Sequence, residues 1–286
     1  MFKIGDFEIH LVNDARIMGD WGGPFGLVPR ALWSKYKQVD EMGRIAMDHH
    51  CLLVRAGGKN IVVDTGIGTK IEQRYADFVS LTRPNGTLID GLAKLGVKPA
   101  DVDLVINTHL HSDHCGGNTC FDPGGKVIPT FPRAEYWVQR LECADASFPN
   151  ERTRGTYFAF NFEPLMESGQ LKLLDGETEV VSGMRTVVTP GHTRAHQSVL
   201  FESGGQYGMY VCDLASFAVH FAKLGWMTAY DVEPLITLET KRIWQKWALK
   251  HDATLIFIHD ADTPVCHAVG SAEKLEVVPV EFDWQD

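Results

Sequence analysis

The chain has 286 residues, of which 44% are hydrophobic and 22% charged, a globular composition with room for a sizeable core and none of the bias of a disordered chain. Its 27 Lys and Arg against 37 Asp and Glu leave a net charge of −10 with no basic cluster, which disfavours a nucleic-acid partner. No run of about 18 apolar residues marks a membrane span, and the first residues lack the apolar core of a signal peptide, so a cytoplasmic protein with six free cysteines is expected.

In chain order, Phe7 to Val12 reads as a first strand. Residues 16–46 carry Gly22-Gly23, Pro24, Pro29, Trp21, Phe25, Trp33 and Tyr36 without a clean period, the character of a lid or substrate loop. His50 to Arg55 and Asn60 to Asp64 read as strands joined at Gly57-Gly58. Thr87 to Leu95 has helical spacing with Gly96 as its stop signal. Leu104 to Asn107 is a short apolar strand, and Ala134 to Ala144 reads as a helix after Pro132. Arg185 to Thr189 is a strand that runs into Pro190-Gly191-His192. Ser198 to Glu202 and Tyr207 to Val211 form a hairpin around Gly204-Gly205 and lead to Asp213. Glu233 to Leu249 is the longest helical pattern, and the buried strand Thr254 to Ile258 ends at His259-Asp260. Nothing marks a boundary or a repeat, so the expectation is one α/β domain over 1–286 with sheets inside and helices outside.

The densest chemical signal is His109-x-His111-x-Asp113-His114, directly after an apolar strand. Side chains alternate along a strand, so only a loop at its end can turn all four inward. Imidazole and carboxylate together suit zinc, iron, manganese or cobalt. His192, Asp213 and His259 each follow a strand as well, and sites in α/β folds gather at strand ends. Asp64, closing another strand, is either an outer group that orients an imidazole or a turn carboxylate. His196 reads as a structural hydrogen-bonder; His49 and His50 read as partly buried polar groups, and Cys115 and Cys212 as small apolar ones.

His109-x-His111-x-Asp113-His114, Gly191-His192, Asp213 and His259 together resemble the metallo-β-lactamase superfamily. The match runs from Asp64-Thr65-Gly66 to His259-Asp260. The resemblance implies a four-layer αββα sandwich with its site at one edge. It also implies two divalent ions, zinc first, with iron, manganese or cobalt as alternatives. His109, His111 and His192 would hold one ion, Asp113, His114 and His259 the other, and Asp213 would bridge them beside a shared hydroxide.

Thr189-Pro190-Gly191-His192-Thr193-x-x-His196-Gln197-Ser198 and His259-Asp260 look like the branch that contains the N-acyl homoserine lactone lactonases. Those enzymes carry a substrate-facing tyrosine soon after the bridging aspartate, where this chain has Ser216-Phe217. His220 or Tyr230 is expected to serve in its place. The implied activity is hydrolysis of a small ester or lactone, with Asp113 or Asp213 passing a proton to the leaving group. The alternatives are the same site acting on a β-lactam, phosphotriester or thioester, or a non-catalytic metal-binding protein. An acidic end, Glu276 to Asp286, lowers the thioesterase option. The aromatic segments suggest either a pocket wall or a homodimer contact.

Overall fold

A computed structural model describes residues 1–281. Two seven-stranded sheets form its centre, one from Phe2 to Leu174 and one from Thr178 to Pro279. In the first sheet, strands Phe2–Ile4, Phe7–Asp20, Arg44–Ala56 and Lys59–Val63 pair antiparallel in succession. Leu104–Ile106, Glu135–Gln139 and Leu171–Leu174 then add in parallel. The second sheet opens in the same sense: Thr178–Val181, Met184–Val188, Gln197–Ser203 and Gln206–Tyr210 are antiparallel, and Thr254–Ile256 joins in parallel. Val265–Gly270 and Leu275–Pro279 complete it antiparallel.

The alternation of apolar residues along these strands sorts them into layers. Ile9, Leu52, Val54, Ile61, Val63 and Ile106 of the first sheet meet Val199, Phe201, Tyr210 and Ile256 of the second in one buried cluster. The intervening residues of the first sheet, Leu53, Val62, Val105 and Tyr136, face outward onto Leu88 and Leu92 of the helix Leu88–Lys94 and onto Leu165. Leu200, Met209, Leu255 and Cys266 of the second face the helices Ala218–Ala222 and Pro234–His251 through Phe221 and Ala248. The layers are therefore helix, sheet, sheet, helix, the expected αββα sandwich.

Most elements follow their sequence signals. Thr87 caps the helix Leu88–Lys94 through a reciprocal box with Asp90, and Gly96 takes the left-handed conformation just past its end (φ 75°). Two readings change. Ala134 to Ala144 is not one helix: Glu135–Gln139 is a strand, and the helix is Arg140–Ser147. Tyr136, Trp137 and Val138 suit a pleated, buried surface, and the parallel neighbours on both sides settle the choice against the helical spacing. The irregular stretch is also shorter than 16–46. The strand Phe7–Asp20 extends past a bulge between Asn13 and Arg16 and pairs with Arg44–Ala56 as far as Asp20 and Arg44. The bulge breaks the alternation that would have revealed the strand.

What remains, 21–43, packs as an aromatic stack rather than hanging free. Phe25 is fully buried between Trp33, at a centroid distance of 4.9 Å, and Phe217, at 6.0 Å. The Lys37 ammonium, itself buried, pairs with Asp260 and with Asp262 and ties this segment to the residues after His259. All six cysteines are free, and among the described residues no helix is long and apolar enough to cross a membrane. Phe201 sits at the centre of the inter-sheet core, edge-on to Phe7 at 5.6 Å. Phe201→Ala should cost about 3–5 kcal/mol of stability, read from denaturant unfolding; a loss under about 1 kcal/mol would contradict a tightly packed sheet interface.

Candidate metal centre

The metal-ligand motif lies where the buried strand Leu104–Ile106 ends. Its chain is turned by two buried carboxylates. Asp64, at the end of the neighbouring strand and in the left-handed conformation (φ 54°), accepts the Thr108 amide and the Thr108 hydroxyl, both at 2.8 Å. Its Oδ2 lies 3.1 Å from His114 Nδ1. Glu142 accepts the Leu110 amide and the Tyr157 hydroxyl, each at 3.0 Å, and the Thr193 hydroxyl. Burial raises the Glu142 pKa in spite of these bonds. Together they fix both flanks of His109 and the start of the short helix Ser112–Cys115.

The second arm follows Met184–Val188. Gly191 (φ 138°) leaves no room for a side chain, because a Cβ there would lie 2.3 Å from Thr237 Oγ1 and 2.4 Å from its amide nitrogen. This close approach to the helix Pro234–His251 puts His192 beside Asp231, whose Oδ1 accepts from His192 Nδ1 at 3.0 Å. The third arm follows Gln206–Tyr210. The Asp213 amide donates to His196 Nε2 at 3.2 Å, and the Ser216 hydroxyl donates to Asp213 Oδ1 at 2.7 Å. With Nε2 accepting, His196 Nδ1 donates to the Thr189 hydroxyl at 2.8 Å, so this imidazole has its expected structural part. The fourth arm crosses between the sheets: His259 Nδ1 donates to the Asp48 carbonyl at 2.8 Å, and the Asp48 amide donates back to the His259 carbonyl at 3.3 Å.

These arms bring all seven proposed ligands together. His109, His111 and His192 form one group, with His192 Nε2 3.1 Å from His111 Nδ1. Asp113 Oδ2 lies 3.7 Å from His114 Nε2 and 3.6 Å from His259 Nε2. Asp213 reaches both groups: its Oδ2 is 3.7 Å from His109, 3.3 Å from His192 and 3.0 Å from His114, and its Oδ1 is 3.4 Å from His259.

The donor set fits cations. Nε2 of His109 is buried without a hydrogen-bond partner among the described residues. Most of the separations exceed the hydrogen-bond range of about 2.7–3.2 Å. They match the spacing of about 3.4 Å expected for two atoms bound tetrahedrally to one ion at about 2.1 Å. Without an ion the acids and imidazoles stabilise one another. Burial disfavours charge on both, but His259, His192 and His114 hold the Asp213 carboxyl far below its usual range. Asp113 and Asp213 likewise raise His114 against the cost of burial. Cys212 touches this group, 3.5 Å from His114 Nδ1, but burial pushes its thiol up and keeps it protonated.

Two of the expected catalytic groups separate here. His220 is fully buried, edge-on to Phe25 and Phe217 at 5.1 and 5.2 Å, and is not among the converging residues. Burial lowers its pKa to about 3. Tyr230 is 45% exposed, with its hydroxyl against Gly23. Burial of the ring edge and the nearby charge of Asp113 raise its pKa to about 12, so it stays a donor. Asp113 is the most open of the carboxylates at the centre, with 34% of its side chain exposed, and so marks the side from which a substrate can approach.

Three residues that the sequence left outside the site lie at the centre. Asp231 and Glu142 act through His192 and the Leu110 loop. His49, read there as partly buried, is fully buried and lies 3.5 Å from Asp113 Oδ2. None has a spacing signal; only the doublet His49-His50 inside an apolar strand could have drawn notice. Asp231→Ala should weaken cation binding about 10- to 100-fold with the fold retained, measured by zinc titration against a chelator; unchanged affinity would show that the His192 contact orients nothing of consequence.

The model of the metallo-beta-lactamase superfamily matches residues 45–220. An N-acyl homoserine lactonase from Bacillus cereus is 29% identical over 162 residues, covering 54% of this chain and 58% of that protein. The N-acyl homoserine lactonase AttM from Rhizobium radiobacter is 29% identical over 178 residues, covering 61% and 64%. The chain thus spans less than two thirds of the length of these curated relatives. A probable metal-dependent hydrolase from Staphylococcus aureus superposes with a TM-score of 0.89 and 28% identity over 98% of this chain and 99% of the other. The dizinc quorum-quenching lactonase AidC, solved with a product, shares the fold with a TM-score of 0.80 at 21% identity, over 99% and 97%. From the matched length, the sandwich and the residues gathered at its edge, the chain belongs to the metallo-β-lactamase superfamily.

Proposed function

We propose that this protein is a dinuclear metal-dependent hydrolase that opens a lactone or cleaves a small ester. The observation that carries the reading is Asp213, whose two oxygens lie within reach of imidazoles from two separate groups. His109, His111 and His192 would hold one ion and Asp113, His114 and His259 the other, with Asp213 between the two groups. Zinc is the first choice, with iron, manganese or cobalt suited to the same donors. Such a pair, when bound, lowers the pKa of water to give a nucleophile near neutral pH and polarises the carbonyl under attack.

The remaining work falls to the chain. Asp64, Asp231 and the Asp48 carbonyl tie the far nitrogens of His114, His192 and His259, so that their Nε2 lone pairs turn inward. Ser216 and His196 fix Asp213 from opposite sides. Asp113, open on one face, takes the proton left on the attacking oxygen and hands it to the departing alkoxide. Tyr230 donates a hydrogen bond to the carbonyl oxygen as it gains charge, in place of the tyrosine the lactonases carry nearer the bridging aspartate. His220, sealed behind Phe25, keeps the aromatic stack in place. The half-buried faces of Trp21 and Trp226, packed on that stack, offer an apolar wall for an acyl chain. The lactonase names of the curated relatives favour the lactone over the other substrate classes.

Metal-analysed protein offered acyl lactones, aryl esters, β-lactams and phosphotriesters should turn over the lactones or esters fastest. Turnover confined to β-lactams or phosphotriesters would overturn the substrate assignment. Tyr230→Phe should lower kcat about 10²-fold with little change in KM. Asp113→Ala should abolish most turnover while circular dichroism stays native, and full activity in the metal-loaded variant would reject the scheme.

A further inference from the structure

His49 shares the construction of the proposed ligands, although no motif contains it. It lies within the strand Arg44–Ala56, opposite the bulge of the strand Phe7–Asp20. The bulge serves it directly. Asn13 Oδ1 accepts the His49 amide at 3.2 Å, and the Ala15 carbonyl faces His49 Nδ1 at 3.2 Å. A carbonyl can only accept, so Nδ1 carries the ring proton and Nε2 presents a lone pair.

That Nε2 is fully buried and makes no hydrogen bond among the described residues. It lies 3.5 Å from Asp113 Oδ2, and one donor atom each from His49, Asp113 and His259 fall within 4.8 Å of one another. The His49 ring stands edge-on to that of His259 at 4.9 Å. The two are built alike: His259 Nδ1 is tied to the Asp48 carbonyl, and its Nε2 lies 3.6 Å from the same carboxylate oxygen. A buried lone pair facing a carboxylate across 3.5 Å is unfavourable unless a positive charge joins them.

We propose that His49 is a further ligand of the second cation, beside Asp113, His114, His259 and Asp213. This rests on the metal reading above and deepens it. Five donors, two of them carboxylates, make this position roomier than the His109, His111 and His192 position. A closed tetrahedral set suits zinc, whereas a larger set with oxygen donors tolerates manganese, iron or cobalt. The two positions therefore differ in metal preference, and the second is the one that exchanges zinc for these ions.

The test is nuclear magnetic resonance of the full chain with ¹⁵N-labelled histidine, loaded with ¹¹³Cd²⁺, a spin-active substitute for zinc. An imidazole nitrogen bonded to cadmium is split by it. Six split rings are expected: His109, His111 and His192 at one ion, and His114, His259 and His49 at the other. His49→Gln should remove one and weaken one of the two cadmium ions about 10- to 100-fold while the other is held as before. Five split rings in the unaltered protein, with His49 unsplit, would overturn the proposal and leave the dinuclear reading standing. No split rings at all would remove both. The count in the unaltered protein decides the matter even where His49→Gln fails to fold.

Discussion

A buried lone pair that finds no donor costs on the order of 1–3 kcal/mol, and this protein places two of them beside a pair of carboxylates. Nε2 of His49 and Nε2 of His109 lie out of water without a hydrogen bond among the described residues. Much of the surrounding structure holds that arrangement in place. Asp64, Asp231 and backbone carbonyls occupy the opposite ring nitrogens, which leaves the inner ones no choice of role. Glu142 is itself a buried acid whose cost three hydrogen bonds offset in part, and it steadies the loop between His109 and His111. A site so assembled is preorganised for positive charge before any arrives.

The two sheets contribute in parallel fashion. Each begins with four antiparallel strands followed by a parallel one, and each fourth strand leads into an acid, Asp64 in one case and Asp213 in the other. The following parallel strand leads in each case to a histidine, His109 or His259. A left-handed residue marks both turns, Asp64 itself and Cys212. Asp64 spends its oxygens on Thr108 and His114, whereas Asp213 turns toward the imidazoles. The same backbone device thus serves once as support and once as the central acid.

The sequence was most readable where chemistry is contiguous. His109 to His114 stands out because four polar side chains crowd the end of an apolar strand, and His192, Asp213 and His259 follow from their places after strands and from the family resemblance. The layers follow from alternation and helical spacing. What stayed hidden depends on contacts distant in the chain. Residues 135–139 carry a spacing that a helix could also use, and only parallel neighbours on both sides make them a strand. His49 sits where every residue from Asp48 to Val54 is buried, so no contrast between faces distinguishes it. Asp231 lies in an irregular stretch, recognisable only once Gly191 brings His192 against it. His220 and Tyr230 look alike as donors in sequence, and burial alone tells them apart.

One feature of the fold bears on the molecule beyond chemistry. The His259 end of the second sheet is laced to Asp48 of the first, through paired amides and carbonyls and the bridge between Met47 and Asp260. Ions shared by Asp113 and His259 would rivet that same seam. Their binding free energy would then add to the cohesion of the two halves, so the margin against unfolding would rise and fall with the supply of free metal. Starved of it, the sandwich would be looser along one edge, open there to proteases before the rest of the body gives way.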